Sequence, residues 1–241
     1  MADLAAIRVA RAMKAHAIQP LGDSAVLVQM GTEIAEETFQ RVSALAGCLE
    51  KWPVPGMVEF VPAFTTVTVY YDLVRSSYAQ VRAHLERLLD ALLLEGSAAA
   101  EVVEIPVCYG GEYGPDLEEV ARHNGLTADE VIALHSGGEY LVYMIGFAPG
   151  FPYLGGMSEC IAMPRRSSPR PQIPVGSVGI AGMQTGVYPI ETPGGWQLIG
   201  RTPLALFRPE QNPPSLLQAG NKVRFRPISA AEFAAWKEGE R

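Results

Sequence analysis

YLVYMIGFAPGFPYLGG (140–156), PRRSSPRPQIP (164–174) and VGSVGIAGMQTGVYPIETPGGWQLIGRTPLALFR (175–208) decide the fold of this chain. Residues 140–208 hold 11 of the 24 glycines and 9 of the 19 prolines, set between short β-branched and aromatic runs. Such density means short strands joined by tight turns. A small closed barrel is the economical way to hide the edges of so many short strands. The stretch also carries five arginines (Arg165, Arg166, Arg170, Arg201, Arg208) against two acids, Glu159 and Glu191, and has no Asp, Lys or His. This positive balance sits inside a chain of net charge −7. Arginine forks onto carboxylate or phosphate, and glycine lets backbone approach a ligand.

Upstream the pattern changes. DSAVLVQM (23–30) reads as a strand, and Thr32 is placed to cap a helix running to about Lys51. Trp52-Pro53 and Pro55-Gly56 stop it. MVEFV (57–61) and TTVTVYY (65–71) form a hairpin signature. Ser77 with Gln80 opens a second helix, with Val81, Leu85, Leu88, Leu89 and Leu92 on its apolar stripe, ending near Gly96. EVVEIPVCY (101–109) is a further strand, which closes this sheet or enters the next domain, or does both. The order βαββαβ matches the split βαβ pattern of ferredoxin-like folds.

Two short helices follow. Asp116 with Glu119 starts the first, which stops at Asn124-Gly125; Thr127 with Glu130 boxes the second. His123 and His135 lie near their C-termini, where histidine complements the dipole. Within the barrel stretch, Pro193-Gly194 suits the centre of a type II turn. KVRFRPI (222–228) adds a last strand, and Ser229 with Glu232 caps a final helix. The expected fold class is α+β. It comprises an extension (1–16), a ferredoxin-like α/β sandwich (17–100), a β-barrel with a helical insert (101–230), and a C-terminal helix and tail (231–241).

Composition removes several functions. A net charge of −7 is unlike a nucleic-acid binder. No apolar run nears the ~20 residues that span a membrane. The N-terminal 18 residues lack the continuous apolar core of a secretory signal. Cys48, Cys108 and Cys160 are odd in number, widely spaced and without C-x-x-C, which fits a reducing cytoplasm and suggests no metal site. No histidine follows His135, Ser177 lies outside any G-x-S-x-G, and neither a P-loop, G-x-G-x-x-G nor H-E-x-x-H occurs. What remains is a site of arginine, amide, hydroxyl and backbone N–H. Arg165, Arg166, Arg170, Thr185 and Arg201 are the candidates for holding an anion. Gln184, Tyr188 and Glu191 are the catalytic candidates. Phe147, Phe151, Tyr153 and Trp196 either line a pocket or fill the barrel core.

GFAPGFPYLGG (146–156), residues 164–202 and PLGDSAVLVQMG (20–31) together resemble one family across residues 17–228. It is known as allophanate hydrolase subunit 1, the Kip kinase-inhibitor family and the B subunit of the bacterial ATP-dependent 5-oxoprolinase; the last is the nearest branch. The resemblance implies a cyclophilin-like barrel after an α/β domain. It implies partners: a separate carboxyltransferase-like C subunit, since the chain stops at Arg241 without that half, and an A subunit. It implies ATP-dependent opening of 5-oxoproline to glutamate, with ATP shared with or supplied through the partner. Histidine-kinase inhibition and carboxyl transfer in urea degradation are the other branches. The donor in the enzymatic branches is anionic and the substrate a small amide. From residue chemistry, Arg166, Arg170 and Arg201 then neutralise the anion, and Gln184 and Tyr188 orient the amide.

Overall fold

Val26 and Val28 on one strand, and Val67 and Val69 on another, turn to one face of a sheet and are fully buried. The structure, a computed structural model, describes residues 17–91 and 101–239. The expected extension (1–16) and the helix end near Gly96 lie outside these residues. The chain divides into two compact units, one up to Ala98 and one from Ala99.

The first unit runs β1 (Ala17–Leu21), β2 (Ala25–Gln29), α1 (Glu36–Lys51), β3 (Met57–Pro62), β4 (Thr66–Tyr71) and α2 (Tyr78–Ala91). Its sheet order is β1-β2-β4-β3, with all neighbours antiparallel. The valines pack against Val42, Leu45 and Leu49 of α1 and Val81, Leu85 and Leu89 of α2. Ser77 and Gln80 exchange the expected capping-box bonds. Thr32 does not cap α1: the helix opens after Ala35 with no side-chain cap, and Glu36 and Glu37 face its dipole instead.

The expected ferredoxin-like order differs from the ββαββα found. The strand at 102–109 belongs to the second unit, and β1 takes the sheet edge beside β2. Gly22, at φ 64°, makes the turn between β1 and β2. The β1 segment AIQPL is mostly exposed and contains Pro20, so it lacks the alternation that marks a strand. An edge strand tolerates both features.

The second unit runs β5 (Val102–Tyr109), α3 (Leu117–Asn124), α4 (Ala128–Ser136), β6 (Tyr140–Ile145), β7 (Pro152–Gly155) and a 3₁₀ turn (Glu159–Ile161). It continues with β8 (Arg170–Ile173), β9 (Ser177–Ala181), β10 (Gln184–Val187), β11 (Thr192–Gly194), β12 (Gln197–Arg201), β13 (Lys222–Pro227) and α5 (Ala230–Gly239). Strands β10-β7-β6-β13-β5-β12-β9 close into the expected barrel, with β5 and β13 parallel. Strands β8 and β11 form a separate ribbon. Ile105, Val142, Leu154, Ile180 and Ile199 share one core with Val120 of α3 and Val131 of α4. Thr127 and Glu130 form the expected capping box. Phe233 of α5 packs with Cys108 and Ile228. Among the described residues no helix is long and apolar enough to cross a membrane.

His135, at the end of α4, does not complement a dipole. It is fully buried and stacks on Phe225 at 4.4 Å. Thr185 Oγ1 donates to the Gly179 carbonyl at 3.1 Å, so it accepts from His135 Nε2 at 2.9 Å. Nδ1 then accepts from the Tyr109 hydroxyl at 2.7 Å. Burial lowers the His135 pKa to about 3, so the imidazole is neutral, and burial raises that of Tyr109. An unfolded histidine titrates near pH 6.5. Between these values the unfolded state binds the extra proton, so the full contribution is present above pH 6.5 and is lost as pH falls toward 3. Denaturant unfolding at several pH values checks this. The wild type should lose about 1.4 kcal/mol per pH unit more than His135→Gln in that window.

Candidate functional site on the outer wall of the barrel

Alternation along β9, β10 and β12 puts two sets of residues on opposite sides of the barrel wall. Val178, Ile180, Thr185, Val187 and Ile199 are buried toward the interior. Ala181 and Leu198 join a second cluster with Ala148, Phe151, Ile173, Tyr188 and Trp196. Ile173 brings the β8–β11 ribbon over this outer face. Phe151 meets Tyr188 at 5.3 Å and Trp196 at 5.5 Å, both edge-on. Edge-to-face packing suits the ring quadrupoles. A Cβ on Gly186 would stand 3.0 Å from both Phe151 and Trp196, so a side chain there would push on both rings. Gly194 is needed for space too: a Cβ would lie 2.6 Å from the Tyr188 hydroxyl. It sits in β11 with no positive φ, so the expected type II turn at Pro193-Gly194 does not form. The aromatic candidates therefore form a layer outside the barrel rather than its core. Tyr153 packs on Phe151 at 5.1 Å. Phe147 rims the layer, 64% exposed, at a left-handed φ of 68°. Such strain in a non-glycine residue persists where the surroundings enforce it.

Burial pushes the Tyr188 pKa up to about 12, against smaller opposing effects of the Trp196 backbone N–H and the charges of Arg165 and Arg170. Tyr188 is thus a neutral donor at ordinary pH, placed near two of the candidate arginines.

Asp116 organises those arginines. Its side chain does not cap α3. One oxygen, Oδ2, accepts the Leu198 N–H at 2.6 Å. The other, Oδ1, accepts from Arg170 Nη2 at 2.7 Å and Arg166 Nη1 at 3.2 Å. The Asp116 N–H returns a bond to the Leu198 carbonyl at 2.9 Å. The Asp116 side chain is 7% exposed, so these are charge-assisted bonds in a largely dry setting. The arginine loop is pinned twice more. Arg166 N–H donates to the Gly195 carbonyl at 2.7 Å, and Gln197 Nε2 donates to the Pro164 carbonyl at 2.9 Å. A cleft of about 520 Å³ opens there, with Asp116, His123, Arg165, Arg166, Ser167 and Gln197 among its walls.

Two candidates separate from this group. Thr185 is completely buried inside the barrel and engaged by His135 and Gly179. Arg201 donates to the Val175 carbonyl at 2.7 Å from the far end of β12, about 13 Å along the strand from Gln197. It fastens a turn instead of joining the arginine pair. Gln184 is half-buried, and alternation with Thr185 turns it to the outer side. Glu191 is exposed beside the ribbon. Asp116 and Gln197 are the residues that sequence reasoning missed. Asp116 reads locally as a helix cap, and its partners lie 50 to 82 positions away. Among the described residues no three His, Cys, Asp or Glu gather into a metal-holding group.

A barrel with this outer wall and its preceding α/β unit defines the class: the carboxyltransferase domain, subdomain C and D, matches residues 16–217, and the chain belongs to that family. Within it, the chain is 55% identical over 233 residues to the 5-oxoprolinase B subunit of Bacillus subtilis (strain 168), covering 92% of this chain and 97% of that one. It is 44% identical over 211 residues to the 5-oxoprolinase B subunit of Escherichia coli O157:H7, covering 86% and 94%. Among solved structures, TTHA0988 superposes with a TM-score of 0.76 at 40% identity. That alignment covers 86% of this chain and 40% of the longer protein.

Asp116→Ala leaves the buried Leu198 N–H without its acceptor and frees two arginines that solvent still reaches, so it should cost about 1–3 kcal/mol. Chemical denaturation measures the loss, and limited proteolysis should show faster cutting at 164–170.

Proposed function

We propose that this chain is the B-type subunit of an ATP-dependent 5-oxoprolinase, working in the cytoplasm with a carboxyltransferase-like C subunit and an A subunit. The observation that carries the reading is the match along almost the full length of the Bacillus subtilis B subunit, at 55% identity. The site chemistry agrees with it. The cleft and the aromatic wall offer arginines, an amide and a neutral phenol, the groups that hold and polarise a small anionic amide. No G-x-S-x-G or P-loop motif occurs in the sequence, and among the described residues no set of metal ligands gathers. We therefore infer that it supplies one wall of a shared site and is inactive alone.

In this reading Arg166 and Arg170 stabilise negative charge, Tyr188 and Gln184 orient the amide, and Glu191 stands at the rim. Thr185 and Arg201 take structural roles. The fit to a nucleotide is poor on this chain: no glycine-rich phosphate loop is present, and Asp116 already engages both Arg166 and Arg170. The triphosphate accordingly belongs to a pocket completed by the partner.

Mixing experiments test the proposal. The chain alone should release no phosphate from ATP in response to 5-oxoproline, and the three-subunit mixture should release it. Arg166→Ala in the mixture should lower kcat/KM by about 100-fold, the scale of losing one charge-stabilising donor. A full mixture without 5-oxoproline-dependent hydrolysis contradicts the function, and unchanged turnover removes Arg166 from the site.

A further inference from the structure

Taking Tyr188 as a member of the 5-oxoproline site proposed above, we propose that Phe147 is its gate: the ring seals the aromatic layer over Tyr188, and substrate reaches the phenol only when the turn at 146–151 swings aside. Tyr188 is 1% exposed, and Phe151 beside it is equally buried. A phenol so enclosed touches no ligand unless a neighbour moves. Arg170, whose charge acts on Tyr188, shares the enclosure: among the described residues its Nη1 is buried without a hydrogen-bond partner. Leaving such a donor unpaired is costly, so a ligand that enters meets a group already stripped of water.

The elements around Tyr188 differ in how firmly they are held. On one side the β8–β11 ribbon crowds the hydroxyl, since a Cβ on Gly194 would lie 2.6 Å from it. That side is tied down: Ile173 is fully buried, Arg166 N–H binds the Gly195 carbonyl, and Arg170 is held by Asp116. On the other side Phe147 meets Tyr188 edge-on at 6.5 Å and Phe151 at 5.4 Å. Phe147 is 64% exposed. The backbone bonds of its turn stay within residues 146–151: Gly146 N–H to the Phe151 carbonyl, Ala148 N–H to Gly146 and Phe151 N–H to Ala148. The bond from Ala148 back to Gly146, with Phe147 at φ 68°, is the rare and strained form of the γ-turn. Strain of this kind belongs to ligand clamps and switches, and moving the turn releases it. Gly146 and Gly150 flank the turn and absorb the change in backbone angle. Gly150 is also the foot on which it stands, because a Cβ there would lie 2.9 Å from the Phe207 Cβ. The strained, exposed turn is therefore the wall that moves, and the braced ribbon is the wall that stays.

Nitration by tetranitromethane, read residue by residue in peptide mass spectra, tests the gate. In the chain alone Tyr188 should react slowly, and Phe147→Ala should speed its nitration about tenfold. Phe147→Trp, which keeps a ring over the layer, should stay within about twofold of wild type. Tyr140, fully buried in the barrel core, should react alike in all three proteins, which separates opening of the gate from loosening of the fold. In the reconstituted three-subunit enzyme, saturating 5-oxoproline should slow the nitration of Tyr188 in Phe147→Ala by about threefold or more. Unchanged Tyr188 reactivity in Phe147→Ala, or a rise that Tyr140 matches, overturns the gate. The two readings fail separately. Turnover by the three-subunit mixture, with Tyr188 equally unreactive in wild type and Phe147→Ala, rejects the gate and leaves the reaction standing. A Tyr188 that Phe147→Ala exposes and 5-oxoproline leaves unprotected, in a complex without turnover, supports the gate and rejects the reaction.

Discussion

One buried carboxylate holds the second unit's candidate site together. Asp116 sits before α3 and reaches β12 through Leu198, and Arg166 and Arg170 at the two ends of the proline-rich loop. Without it, two cationic side chains would have no fixed counter-charge and the loop no anchor on the helical insert. Repulsion between neighbouring guanidinium groups is offset by sharing Oδ1. The shared charge also leaves a positive excess around Asp116. Buried charge of this kind gives little net stability, yet it fixes geometry, and losing one member is costly.

The barrel wall separates two chemistries. Inside, Tyr109, His135 and Thr185 form a satisfied polar chain that ends on a backbone carbonyl. Every member has a partner, so the chain rigidifies the core and has no access to ligand. Outside, the rings of Phe151, Tyr188 and Trp196 stack edge-on across glycine positions that no other residue could occupy without displacing them. The dense glycine of residues 140–208 therefore serves ring packing as much as turn geometry.

Much of this was legible in the sequence. Valine alternation and leucine stripes point to the sheet and helices of the first unit. The capping boxes at Ser77–Gln80 and Thr127–Glu130 set true helix starts, because that signal is local and both bonds are made within four residues. Glycine and proline density announces the barrel. Local signals mislead where a long-range partner wins. Asp116 reads as a cap and binds β12 and the arginine loop. His135 reads as a dipole partner and is neutral inside the core. Thr185 and Arg201 neighbour the catalytic candidates in sequence, but strand alternation and strand length carry them away. β1 escapes a sequence reading because an edge strand with a proline shows no alternation, and the strand at 101–109, which the sequence leaves open between the two units, belongs to the barrel.

Asp116 acts on Arg166 and Arg170 as one coupled unit. A double-mutant cycle with Asp116→Asn and Arg170→Gln, read by urea unfolding, tests it most directly. The expected coupling energy between the two sites is about 1–3 kcal/mol. Effects that add within about 0.5 kcal/mol would contradict it.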